Sequence, residues 1–129
     1  MTKKVLLVED EDDLRAFVRL GLEHQGFEVI EADNGLEMIS ILQIQQVSAI
    51  VVDLSMPRVD GVSAVHAVKA MPRHQNTPII VVTALADPDT IARAYEAGAT
   101  ELLGKPVSPD EIARVLRRCL SEDGMAELK

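Results

Sequence analysis

The segment Ala49-Ile50-Val51-Val52-Asp53 places four apolar residues directly before an aspartate. Three other apolar runs also lead to polar groups: Val5–Val8 into Glu9-Asp10, Ile79–Val82 into Thr83, and Leu102-Leu103 toward Lys105-Pro106. Short runs rich in β-branched residues and leucine indicate strands buried on both faces of a parallel sheet. The carboxyl ends of parallel strands share one edge, and ligands bind there where the strand order reverses. The sequence therefore predicts that three acids, a hydroxyl and an ammonium group converge on one site.

Strand-like runs alternate with helical periods along the whole chain. Strands are predicted near 4–8, 27–31, 49–53, 78–82 and 100–103, and helices near 12–25, 35–46, 61–70, 88–97 and 109–121. This alternation implies right-handed crossovers between parallel strands. We therefore expect a doubly wound α/β fold with a five-stranded parallel sheet and five helices.

The first and last helices carry the clearest local signals. In the first, Leu14, Phe17, Val18 and Leu22 share one face, and Gly26 can supply a left-handed residue after the helix. The last is marked by Ser108-Pro109-Asp110-Glu111, with a hydroxyl at the N-cap, proline at the first helical position and glutamate at the third. We expect a single domain over 1–129, with its core at about 4–121 and a polar, frayed tail over 122–129.

Composition excludes several classes of protein. The chain has 129 residues, enough for one domain with its own core, and only 2% aromatic residues, so the core must be aliphatic. The formal net charge of −8 argues against nucleic-acid binding. No segment is long enough to span a membrane, and no signal peptide is visible. Cys119 is the one cysteine, which fits a reducing cytoplasm.

Five consecutive acids, Glu9 to Asp13, follow the first strand. Glu11, Asp12 and Asp13 are explained as the acidic start of a helix. Glu9 and Asp10 end a buried strand near Asp53, where carboxylates repel one another unless a cation is present. A hard divalent ion such as Mg²⁺, which prefers oxygen ligands, would remove that repulsion.

With these residues in place, the chain resembles a response-regulator receiver domain of two-component signalling over about residues 4–121. The matching elements are Val8-Glu9-Asp10-Glu11, Val52-Asp53-Leu54-Ser55-Met56-Pro57 with Asp60-Gly61, Val82-Thr83-Ala84, Ala97-Gly98-Ala99 and Lys105-Pro106. Each element is weak alone, but their order and their positions at strand ends make a strong joint signal. The resemblance implies a flavodoxin-like sheet with strand order 2-1-3-4-5.

The resemblance also implies a metal site and a phosphoacceptor. Asp53 would accept the phosphoryl group as an aspartyl phosphate. Asp10, Asp53 and the main-chain carbonyl of Ser55 would bind Mg²⁺ or Mn²⁺, with Glu9 acting mainly through water. The implied partners are a histidine kinase or a histidine phosphotransfer protein upstream, and an output protein or domain downstream.

Further roles follow from the same resemblance. Lys105 would pair with the phosphoryl oxygens, Thr83 would donate its hydroxyl to one of them, and the small Ala84 would leave room for the donor. The peptide bond between Lys105 and Pro106 is expected to be cis. Such a domain is not an enzyme in the usual sense, because it catalyses only its own phosphorylation and dephosphorylation.

The chain departs from the family at the proposed output surface. Receivers often carry an aromatic residue three positions before the lysine, where this chain has Leu102. A ring that swaps between buried and exposed positions is therefore absent there. Tyr95, on the preceding helix, is expected either on that face or packed against the next helix. Ser55 and Leu85 stand at positions that border the path of attacking water in the family, which leaves the phosphoryl lifetime open.

Two other functions fit a similar sheet. An Asp-nucleophile phosphohydrolase usually needs a second aspartate two residues after the nucleophile, where Ser55 stands here. A flavin carrier needs a phosphate loop rich in Ser, Thr and Gly after the first strand, where this chain has acids. A P-loop enzyme is excluded because the Gly-Lys-Ser/Thr motif is missing.

The remaining candidates have structural explanations. His24, His66 and His74 lack metal-ligand spacing and are expected at the surface, and Cys119 is expected in the core. The sequence leaves open whether the receiver is free-standing or belongs to a longer regulator or hybrid kinase.

Overall fold

The computed structural model describes residues 2–54, 61–84 and 87–128, the stretch 121–128 by its backbone alone. Five parallel strands form one sheet in the order β2-β1-β3-β4-β5. The strands are β1 (Lys4–Val8), β2 (Glu28–Ala32), β3 (Ala49–Asp53), β4 (Ile79–Thr83) and β5 (Glu101–Gly104). The helices are α1 (Asp12–His24), α2 (Gly35–Ile44), α3 (Gly61–Lys69), α4 (Pro88–Ala97) and α5 (Pro109–Leu128). The predicted doubly wound fold is confirmed.

Two aliphatic cores lie on opposite faces of the sheet, because successive side chains of a strand point to opposite sides. On one face α1 and α5 cover Val5, Leu7, Val51, Ile80 and Val82. On the other, α2, α3 and α4 cover Leu6, Val8, Ile50, Val52, Ile79 and Val81. Both faces of β1, β3 and β4 are therefore buried, as their continuous apolar sequence predicts.

Local capping sets where α1 ends and β2 begins. Gly26 has a φ of 99°, and its N–H donates to the carbonyl of Glu23. The N–H of Phe27 donates to the carbonyl of Leu22 at 3.1 Å, which completes a Schellman motif. Because the N–H of Phe27 is used in the helix cap, the strand begins at Glu28 rather than at residue 27.

Three predictions about individual elements are wrong. Phe17 is 60% exposed, although Leu14, Val18 and Leu22 of the same predicted face contact the core. His74 lies in a short 3-10 helix (Pro72–His74) and is 1% exposed, with its Nε2 2.9 Å from the carbonyl oxygen of Leu42. The last helix continues to Leu128, because the predicted tail is rich in residues with good helix propensity.

Two other local predictions are confirmed, those for Ser108 and Cys119. Ser108 caps α5, since its Oγ accepts a hydrogen bond from the N–H of Glu111 at 3.1 Å. Cys119 is buried. Tyr95 is 45% exposed on α4. Among the described residues, no helix is both long enough and apolar enough to cross a membrane.

Candidate functional site

Three carboxylates meet at the carboxyl ends of β1 and β3. One carboxylate oxygen from each of Glu9, Asp10 and Asp53 lies within 4.8 Å of the other two. Glu9 and Asp53 are buried, at 6% and 3% exposure, whereas Asp10 is exposed. β1 and β3 are adjacent in the sheet, and Val8 pairs with Val52, so the strand ends hold these acids together.

Lys105 is the cation of this cluster. Its Nζ lies 2.8 Å from Oδ2 of Asp53 and 3.5 Å from Oε1 of Glu9. The main-chain N–H of Lys105 donates to the carbonyl of Thr83 at 2.8 Å, which fixes the lysine beside the end of β4. The peptide bond between Lys105 and Pro106 is cis, as expected.

The pKa of Lys105 is raised by the two carboxylates beside it. Burial alone would lower it, but the hydrogen bond and negative charge of Asp53, helped by Glu9, leave the pKa above its ordinary value. Lys105 is therefore a permanent cation near neutral pH and can stabilise negative charge that develops at Asp53.

The carboxyl of Glu9, unlike the ammonium of Lys105, is not fully charged near neutral pH. Its pKa is raised to about 7, and burial is the largest cause. The N–H of Glu11, which donates to Oε2 at 3.2 Å, and the charge of Lys105 lower the pKa, whereas the charge of Asp53 raises it. Without a bound cation, Glu9 is therefore only partly ionised near neutral pH, which relieves repulsion among the three acids.

Thr83 lies at the end of β4, the next strand in the sheet. It is fully buried and pairs with Gly104 of β5, while Asp53 pairs with its neighbour Val82. Ala84 follows it and is exposed at the sheet edge. The described strand ends thus bring together the predicted residues of β1, β3 and β4 and Lys105. Ser55, whose carbonyl is an expected metal ligand, and Leu85 lie outside the described residues.

Arg15 is a site residue that the sequence interpretation missed. From α1, its Nη1 donates to the main-chain carbonyl of Glu9 at 2.8 Å. Its Nη2 donates to Asp12 at 2.9 Å and its Nε to Glu31 of β2 at 3.2 Å. The spacing of Asp12 and Arg15 on one helix is a signal that could have indicated the pair, but not the contact with Glu9.

The donor set fits a hard divalent cation. Among the described residues, three carboxylates offer oxygen ligands and one ammonium group contacts them, which leaves the cluster with excess negative charge when all the acids are ionised. Mg²⁺ is usually bound through one or two carboxylates plus water. Asp10 is exposed, so the ion and its water ligands can reach its carboxylate. The same groups also suit phosphoryl transfer, in which catalysis is mainly positioning and neutralisation of charge.

Comparison with known proteins gives a consistent result. Residues 5–117 match the response regulator receiver domain family. The transcriptional regulatory protein SrrA of Staphylococcus aureus is 33% identical over 112 residues, which are 87% of this chain and 45% of SrrA. The chain thus spans less than half the length of the curated relatives that it matches.

Solved structures agree with this match. The chemotaxis response regulator CheY4 of Vibrio cholerae is 32% identical, with a TM-score of 0.87 over 93% of this chain and 100% of that one. The receiver domain of the sensor histidine kinase PA1611 of Pseudomonas aeruginosa is 28% identical, with a TM-score of 0.86 over 94% and 99%. That structure has a magnesium ion coordinated in its active-site cleft.

Proposed function

We propose that this chain, which belongs to the response regulator receiver domain family, is a switch that Asp53 sets by accepting a phosphoryl group. The observation that carries the proposal is the Lys105–Asp53 contact at 2.8 Å within a cluster of three carboxylates at the strand ends. The donor would be a phosphohistidine of a histidine kinase or a histidine phosphotransfer protein.

In the proposed step, an Asp53 carboxylate oxygen attacks phosphorus, the P–N bond of the phosphohistidine breaks, and the imidazole leaves with the electron pair. Lys105 is placed to bind the phosphoryl oxygens, since its Nζ already lies beside the nucleophile. Thr83, at the end of the neighbouring strand, would donate its hydroxyl to the phosphoryl group. Ala84 leaves space at this edge for the donor.

Asp10 and Asp53 would hold Mg²⁺, with Glu9 contributing through water and the Ser55 carbonyl completing the protein ligands. When bound, the ion neutralises the negative charge that gathers on the transferring phosphoryl group. Mn²⁺ also prefers carboxylate and water ligands and is a suitable substitute.

The output is proposed to leave through the surface of α4 and β5. Lys105 and Thr83 are joined through their main chains, and β4 pairs with β5, so movement at the pocket has a direct path to that surface. The receiver would catalyse only its own phosphorylation and dephosphorylation, and a downstream protein or domain would recognise the altered surface.

Phosphorylation from a small donor tests the acceptor. With Mg²⁺ and acetyl phosphate, we expect intact-mass measurement to show one added phosphoryl group per chain, absent in Asp53→Asn. Asp33→Asn, which changes an exposed aspartate at the end of β2, is the matched control and should be labelled like the parent. Equal labelling of Asp53→Asn would overturn the assignment.

The same preparation distinguishes a phosphohydrolase. A receiver should be labelled once per chain and should release little phosphate from an excess of p-nitrophenyl phosphate. Sustained turnover that requires Asp53 would favour the hydrolase instead. Ser55, which stands where such enzymes usually carry an acid/base aspartate, argues against that outcome.

A further inference from the structure

A cavity of about 350 Å³ extends from the phosphoacceptor site into the space between α1, the sheet and the start of α5. Its walls are mainly aliphatic: Leu14 and Val18 from α1, Val51 and Val82 from the sheet, and Val107 and Ile112 from the segment after β5. These residues belong to one of the two cores, on the face covered by α1 and α5. The cavity is therefore a gap in that core with one polar end.

The polar groups at that end already have partners. Lys105 contacts both Asp53 and Glu9, and Glu9 also accepts a hydrogen bond from the N–H of Glu11. A molecule inside the cavity would meet hydrocarbon on most sides and would have to break these contacts to gain a hydrogen bond. Burial of a polar or charged ligand there is consequently unfavourable, whereas an apolar ligand gives up no hydrogen bonds to water when it enters the cavity.

The packing of the two helices explains why the gap is not closed. At Gly21 a side-chain carbon would contact the ring of Pro109, with Cγ of the proline only 2.8 Å away, so α1 and α5 already touch at this point. None of the described residues that line the cavity carries an aromatic ring, in a chain with only 2% aromatic residues. The helices cannot approach further at Gly21, and short side chains such as Val18 and Val107 leave space toward the active site.

We propose that this cavity binds a small, uncharged hydrophobic molecule of the size of one aromatic ring or a short branched hydrocarbon. An apolar cavity of about 150 Å³ is enough to hold benzene, and ligand pockets in proteins begin near 300 Å³. The apolar walls supply the affinity, and the paired charges at the mouth exclude ionic ligands. The assignment of this ligand class rests on the cavity walls and does not depend on whether Asp53 accepts a phosphoryl group.

Benzene is the probe for this site. The full chain, with isotope-labelled Ile, Leu and Val methyl groups, is titrated with benzene and followed by NMR. We expect saturable shifts of the methyl groups of Leu14, Val18, Val107 and Ile112. Val107 is half-buried, and Val107→Phe places a ring in the cavity. This variant should show no saturable binding at benzene concentrations up to the aqueous solubility limit.

Two further variants make the result decisive. Leu20→Phe adds the same ring on the exposed face of α1, where Leu20 is 58% exposed, and should bind benzene like the parent. Leu14→Phe fills the cavity from α1 and replaces Val107→Phe if that variant does not fold. Shifts that do not saturate, that centre on Phe17 and Leu20, or that persist in both folded filling variants would overturn the proposal.

Discussion

Arg15 connects the start of α1, the end of β1 and the edge strand β2 through a single guanidinium group. Its side chain is 16% exposed, and it donates to Asp12, to Glu31 and to the main-chain carbonyl of Glu9. Arg19 shares Glu31, at 2.9 Å, but no contact between it and Glu9 is observed among the described residues. Arg15 therefore holds the peptide between the two acids that follow β1, and through that peptide it would position the proposed metal site.

We expect Arg15→Ala to weaken Mg²⁺ binding by roughly tenfold, the scale seen when groups that orient metal ligands are removed. Loss of the positive charge alone would favour Mg²⁺ and so oppose this change, because the guanidinium lies within a Debye length of about 10 Å from Glu9. Arg19→Ala removes the same charge one turn away and measures that effect separately. Calorimetric Mg²⁺ titration of both variants is the measurement, and equal affinities would show that Arg15 does not position the acids.

The raised pKa of Glu9 predicts how stability depends on pH without metal. Its pKa is about 7 in the folded chain, against an ordinary value of 4.5, so the folded state binds the proton more tightly than the unfolded chain does. This stabilisation is fully present below pH 4.5 and is lost as the pH rises to about 7. The full shift corresponds to roughly 3 kcal/mol, and we expect about 1–3 kcal/mol because Glu9 interacts with Asp53 and Lys105.

Urea unfolding of the chain and of Glu9→Gln, in EDTA and from pH 5 to 8, measures this effect. The stability of Glu9→Gln minus that of the parent should increase with pH across this range. A difference that stays constant with pH would mean that Glu9 titrates normally in the folded protein.

At the scale of single elements, the α1–α5 contact is set by Gly21. An alanine there would place its Cβ against the ring of Pro109. We expect Gly21→Ala to destabilise the fold by about 1–3 kcal/mol through overpacking, which outweighs the gain of about 1 kcal/mol in helix propensity. Leu20→Ala changes the exposed neighbouring residue and should alter the denaturation midpoint little. A more stable Gly21→Ala would show that the two helices can separate at low cost.

The same element shows where sequence patterns stop being informative. The pattern correctly places Val18 and Leu22 of α1 in the core, because residues four apart lie on one face of a helix. Phe17 belongs to the same apolar stripe by sequence but lies at its edge and is exposed. Its position depends on how far α1 rotates against the sheet, which the sequence of α1 alone does not determine.

His74 is a second example of the same limit. It lies in a short 3-10 helix between α3 and β4, too short to show a hydrophobic period. Its burial depends on the carbonyl of Leu42 at the distant α2, which supplies its hydrogen-bond partner. A tertiary contact of this kind overrides the general preference of histidine for intermediate exposure.

Across the whole molecule, the strand-end argument predicted the fold and most of the candidate site. The four apolar runs could be identified as strands, of which β1, β3 and β4 are buried on both faces and the edge strand β5 is half-buried. Parallel strands bring their carboxyl ends to one edge, which is where Glu9, Asp53, Thr83 and Lys105 lie. The strand order and the cis bond came from family resemblance instead. The contact of Arg15 and the cavity beneath Lys105 depend on three-dimensional packing and have no sequence pattern.

We expect the phosphorylated state to spread from Asp53 toward α4 and β5. The phosphoryl group carries about −1.5 to −2 charges and replaces the single negative charge of the Asp53 carboxylate. Lys105 and Thr83 are the donors placed to follow its oxygens. Both are tied to the β4–β5 pair, and Leu102 of β5 packs against the core beside α4. Because Leu102 has no ring that could swap between two positions, the change should be carried by backbone near α4 rather than by that side chain.

Amide chemical shifts with and without a beryllofluoride mimic of the phosphoryl group measure this spread, with Asp53→Asn as the matched control. Outside the pocket, we expect the largest changes within residues 84–102, and none in the control. Small shifts at the pocket become a change of state only where two packings already lie close in energy. The α4 region is a candidate because Tyr95 is nearly half exposed and Ala94 is the one buried residue of that helix. If the largest changes lie on α1 or α2 instead, the signal leaves through the opposite side of the sheet or its other edge.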